Sequence, residues 1–173
     1  MNRSDLLRKR VRCLIWIVIA GLVFGGATAI PLQTELNSTV QVLGADHNRD
    51  GERLREPAGI ALWLVKVRDG LNDTFTRYPF IAYGTDWLAF GHFVIALAFV
   101  WPLRDPVRYS GLFTFGIIAC ICVIPFALVM GQVRQIPLGW RLIDCSFGVV
   151  GLIPLWFCRR YARELEQLAR RDA

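Results

Sequence analysis

Four runs of apolar residues, 13–32, 81–101, 111–130 and 138–158, divide the chain. Each is about twenty residues long, the length a helix needs to cross the hydrocarbon layer of a bilayer. Between the first two runs lies a polar segment, 33–80, with its own shorter periodicity. Ile60, Leu64, Val67, Leu71 and Phe75 recur at helical spacing while Lys66, Asp69, Asp73 and Arg77 fall elsewhere, which predicts an amphipathic helix from Pro57 to Arg77. Pro57 suits the first turn of such a helix. The pattern predicts an all-α integral membrane protein of one domain, 1–173. It is a bundle of four transmembrane helices with an extracytoplasmic amphipathic helix between helices 1 and 2.

The edges of the runs refine this reading. Tyr78, Tyr83 and Trp87 bracket one end of the second run and Trp101 the other, as an interfacial aromatic belt requires. Pro102 ends that helix, and Pro125 predicts a kink in the third. The first run follows Arg3, Arg8, Lys9, Arg10 and Arg12 and contains Ala27-Thr28-Ala29, so it also fits a signal peptide. Its full bilayer length, and Pro31 just beyond that cleavage motif, favour a retained helix.

Charge sets the orientation. Of 20 basic and 14 acidic residues, twelve basic and five acidic lie before residue 13, in 102–110 and after residue 158, leaving eight and nine for the other side. The positive-inside rule then places both termini in the cytoplasm, with 159–173 a helical cytoplasmic tail, and a bacterial inner membrane is the expected site. Although the net charge is +6, the basic residues gather at the ends of apolar runs rather than on one face. That distribution argues against nucleic acid.

Four ionisable side chains fall at membrane depth: Asp86 and His92 in the second run, Arg141 and Asp144 in the fourth. Such groups need partners. Arg141 and Asp144 are three apart on one helix face, and an arginine fork to both Asp86 and Asp144 would pair all three. The cluster reads either as a structural clamp or as a ligand site. Gly148 and Gly151 continue the face below Asp144, allowing close helix approach or a slot for a ligand. His92 lies six residues beyond Asp86, roughly 9 Å deeper and about 120° around the helix. It reads as a hydrogen-bonded structural residue or as a partner for a quinone carbonyl or haem iron. A bis-histidine haem within one chain is excluded by count, because the only other histidine is His47. No cofactor is identified.

In the polar segment, Asp46, Asn48 and Asp50 with Gly51 match the opening of a calcium loop, but Arg53 and Pro57 break the rest of that pattern and a solvated turn is the better reading. The five cysteines, Cys13, Cys120, Cys122, Cys145 and Cys158, lie in or beside apolar runs and read as buried small hydrophobes, with no redox motif. Asn37-Ser38-Thr39 and Asn72-Asp73-Thr74 fit a glycosylation pattern that also arises by chance.

No complete catalytic constellation emerges from these residues. The expectation is a non-catalytic accessory or scaffold subunit that packs in the bilayer against other membrane subunits. The rival is a membrane enzyme or transporter taking a lipid-like or quinone-like ligand at the outer polar cluster, with Asp86 or Asp144 as proton acceptor and Arg141 as anion clamp.

Overall fold

The computed structural model describes residues 2–45 and 58–171, and among them it is all-helical, without strands. The helices are α1 (Arg3–Ala29), α2 (Leu32–Val42), α3 (Ile60–Arg77), α4 (Tyr83–Ala98), α5 (Val100–Arg104), α6 (Ser110–Val133) and α7 (Leu138–Arg171), with a 3₁₀ turn at Pro79–Ala82. Four stretches are long and apolar enough to cross a membrane: Arg3–Ala29, Pro79–Arg104, Ser110–Val133 and Leu138–Arg171. These contain the second, third and fourth runs expected from the sequence and the first as far as Ala29.

The boundaries differ in instructive ways. The first helix begins ten residues before the apolar run, because nothing in the basic segment opposes helix, and it stops at Ala29, two residues before Pro31. The chain then starts α2, a helix that the polar composition of 33–45 did not announce. That helix closes on a Schellman cap: Gly44 takes φ 64°, Ala45 N–H reaches Val40 O and Gly44 N–H reaches Gln41 O. The second apolar run is interrupted after Ala98. Pro102 has no N–H to give the Ala98 carbonyl, and the chain tightens there, with Phe99 N–H shared between Ile95 O and Ala96 O. The last helix does not stop at 158 but continues to Arg171, so the expected tail is helical.

The chain forms two compact units, Met1–Val23 with Phe93–Ala173, and Phe24–His92. In the first, Val11, Ile15 and Ile19 of α1 meet Ala96, Phe99, Phe113, Leu155, Cys158 and Ala162 in one apolar core. The α6–α7 pair is close-packed on small residues. A Cβ at Gly148 would lie 2.5 Å from the Cys120 carbonyl oxygen, and one at Gly116 would lie 2.8 Å from Leu155 Cδ1. The helices touch at that depth only because glycine is there.

Two connections in this unit are fixed by local chemistry. The Asp105 carboxylate accepts from Val107 N–H and Arg108 N–H, which holds the turn into α6. At the other end of α6, Ile136 N–H reaches Gly131 O and Gln135 N–H reaches Gln132 O, a second Schellman cap. Here the left-handed position, φ 57°, belongs to Gln135 instead of glycine.

In the second unit, α3 packs on α2 through Val65, Leu64, Val40 and Ala45. The buried face is displaced by one residue, roughly 100°, from the expected stripe. Ile60 is more than half exposed, whereas Val65 and Arg68 are buried. Polar pairing explains the rotation: Gln33 donates to Asn72 Oδ1 (2.8 Å), Asn72 donates to Asn37 Oδ1 (3.1 Å), and Arg68 pairs with Asp69 (2.8 Å). The two bonds of Asn72 need the face of α3 that carries it to meet α2, whereas the Arg68–Asp69 pair joins neighbours within α3, and an apolar count along the sequence does not register either.

Candidate functional site

Arg141 and Asp144 lie in the first unit, Asp86 and His92 in the second. Arg141 is held by its surroundings on α6. Its aliphatic stem lies across Gly131, where a side chain would overlap Cγ and Cδ, and Nη1 donates to the Leu128 carbonyl at 3.4 Å. Nε is buried with no hydrogen-bond partner among the described residues.

The expected fork to Asp144 does not form, since among the described residues Arg141 makes no ion pair with it. Helical side chains lean toward the N-terminus, so Arg141 projects away from a residue three positions further along. An acid placed before the arginine would have suited this geometry; an acid after it does not. Asp144 is half-buried beside Cys145, whose thiol is directed at the Ile124 carbonyl, 3.7 Å away.

The slot considered below Asp144 is filled. Gly148 receives the Cys120 carbonyl and Gly151 receives the Cys120 thiol, 3.0 Å from where a Cβ would stand. Both glycines therefore serve helix packing. Of the five cysteines, Cys145 and Cys158 are buried as expected, Cys120 is half-buried, and Cys13 and Cys122 are exposed on apolar helix surfaces. The expectation of five buried thiols fails because two of them point outward from the packed faces.

Asp86 sits exposed in the first turn of α4, which continues directly from the 3₁₀ turn, and it makes no ion pair among the described residues. His92, further along α4, bonds the Leu88 carbonyl through Nδ1 at 2.8 Å. A carbonyl oxygen only accepts, so Nδ1 carries the proton of this bond. The ring packs on α1 where Gly25 leaves room: a Cβ there would be 3.5 Å from His92 Cδ2 and 3.7 Å from Nε2. Glycine at residue 25 was the one sequence signal for this contact, and it was indistinguishable from the other glycines of the first apolar run.

Among the described residues no group of three His, Cys, Asp or Glu side chains is placed to hold a metal. The calcium-like Asp46, Asn48 and Asp50 lie outside the described residues. A cavity of about 470 Å³ occurs elsewhere, at the C-terminal end of α7, bordered by Arg3, Arg159, Arg160 and Arg163. In the sequence those arginines carry only a topology signal. The chain matches no protein-family model, no curated protein and no solved structure, and its reading rests on its own geometry.

Proposed function

We propose that this chain is a multi-pass membrane protein that serves as a non-catalytic scaffold or accessory subunit within a larger membrane assembly. The membrane part of the reading draws on outward-facing side chains. Trp16 and Phe24 of α1, Trp87 and Phe90 of α4, Phe126 and Val129 of α6, and Phe147 and Val150 of α7 are all exposed. Only 11% of the most apolar stretch of α6 is buried within the chain. Surfaces of this kind require lipid or a partner helix.

The orientation follows from charge: both termini lie in the cytoplasm of a bacterial cell, and the segment with α2 and α3 lies outside. The first helix is retained in this reading, because Val11, Ile15 and Ile19 supply part of the apolar core of the first unit.

The observation that carries the scaffold assignment is the use made of polar side chains in the apolar helices. His92 and Arg141 are engaged with the main-chain carbonyls of Leu88 and Leu128, and the glycines near Asp144 are occupied by α6. The Arg141 bond crosses from α7 to α6 and holds that pair, while the His92 bond is made within α4. The test is extraction in mild detergent followed by native mass analysis. Defined stoichiometric partners are expected; a chain that runs alone as a stable monomer overturns the subunit assignment. A tag after Ala173 that protease reaches from outside intact cells overturns the orientation.

A further inference from the structure

We infer that the arginine-lined cavity at the C-terminal end of α7 binds the headgroup of an anionic phospholipid. The inference rests on the membrane reading above.

One stripe of α7 changes character along its length. Ile153, Trp156 and Phe157 are followed at helical spacing by Arg160, Arg163 and Gln167. Two concave regions lie along it. Leu152, Ile153, Trp156 and Phe157 border an apolar one of about 290 Å³, and the arginines border the one of about 470 Å³. Trp156 belongs to both. An apolar trough that continues through an interfacial tryptophan into a basic cavity is complementary to acyl chain, glycerol and phosphate in that order.

The charges are arranged for an anion. Glu164 accepts from Arg3 Nε at 2.9 Å, which ties α1 to α7 and neutralises one arginine. Arg159, Arg160 and Arg163 remain without a carboxylate partner among the described residues. The Arg160 guanidinium lies 5.7 Å from the Trp156 ring centre, which orients it over the junction of the two regions. Arginine forks match two phosphate oxygens at once. A soluble phosphate would use the arginines and leave the trough at Leu152, Ile153 and Phe157 unused, and that difference favours the lipid.

The experiment uses the full chain. Alkaline carbonate washing of membranes is done first; release of the chain into the supernatant removes the membrane reading and this inference with it. For the embedded protein, affinity for fluorophore-labelled phosphatidylglycerol is then measured in detergent micelles, with phosphatidylcholine and inorganic pyrophosphate as competitors. Arg160→Gln with Arg163→Gln is expected to weaken phosphatidylglycerol binding about thirtyfold. Arg8→Gln with Arg10→Gln, which removes the same charge outside the cavity, is expected to leave it unchanged. Equal weakening in the two variants overturns the site in favour of diffuse attraction. Equal binding of phosphatidylcholine also overturns it, and complete displacement by pyrophosphate reassigns the cavity to a free anion. Should the double variant lose its helical circular dichroism, Arg163→Gln alone, at an exposed position, is measured against the same outcomes.

Discussion

The side chain of Arg141 rests on Gly131, and the absence of a Cβ there allows its guanidinium to reach the Leu128 carbonyl. Alanine at residue 131 would meet the stem of that side chain rather than its flexible end. Gly131→Ala is therefore expected to destabilise the protein by about 1–3 kcal/mol, even though alanine is the better helix former. Thermal unfolding in detergent measures this, with Gly139→Ala as the control because no atom lies within 4 Å of a Cβ there. Adding Arg141→Ala to Gly131→Ala should recover part of the loss. A double variant less stable than either single one would show that the two residues do not share a seat.

The contact between Gly151 and Cys120 allows a covalent test of how α6 and α7 pack. A Cβ at residue 151 would stand 3.0 Å from Cys120 Sγ, close to the separation of about 3 Å between one Cβ and the far sulfur in an unstrained disulfide. In a background lacking the other four cysteines, Gly151→Cys is expected to cross-link to Cys120 under mild oxidation. Met130 is the one methionine between them, so cyanogen bromide fragments should stay joined until the disulfide is reduced.

The cap of α6 places Gln135 at φ 57°, where an L-residue costs roughly 1–2 kcal/mol relative to glycine. Gln135→Gly should raise the unfolding midpoint, corresponding to about 1 kcal/mol after the added entropy of a glycine in the unfolded chain is subtracted. A lower midpoint would mean that the Gln135 side chain contributes something the cap geometry does not include.

Asn72 joins α3 to α2 by accepting from Gln33 and donating to Asn37. Replacing it with alanine leaves Gln33 without its partner in a part-buried position, while the exposed Asn37 can turn to water, a loss of about 1 kcal/mol. Gln33→Ala in the Asn72→Ala background is expected to cost less than Gln33→Ala alone, because the bond is already gone. Additive losses in the double-mutant cycle would place these side chains in water instead.

Much of the architecture follows from composition and period alone. An apolar run of twenty residues has few alternatives to a spanning helix, since hydrocarbon offers no partner for an unpaired peptide group. The four runs, the α3 helix and the proline that interrupts the second run are therefore local properties, each decided within a window of the chain. The helical start of α1 at Arg3 and the α2 helix are also local, but their polar residues form helix and coil about equally well, so no period marks them.

Pairing is a different matter, because it depends on which atoms the folded backbone brings within reach. The sequence placed Arg141 and Asp144 on one helix face and Gly148 and Gly151 along it. It could not determine that the arginine would lean toward Gly131, away from the aspartate, or that Cys120 would fill the space beside both glycines. Likewise the apolar period of α3 is real, yet Gln33 and Asn72 turn an adjacent face toward α2. The sequence by itself determined the four long apolar helices and α3, because length, hydropathy and period are properties of a local window; only the tertiary structure decided which polar group meets which carbonyl, because hydrogen bonds depend on separations of a few tenths of an ångström between atoms remote in the chain.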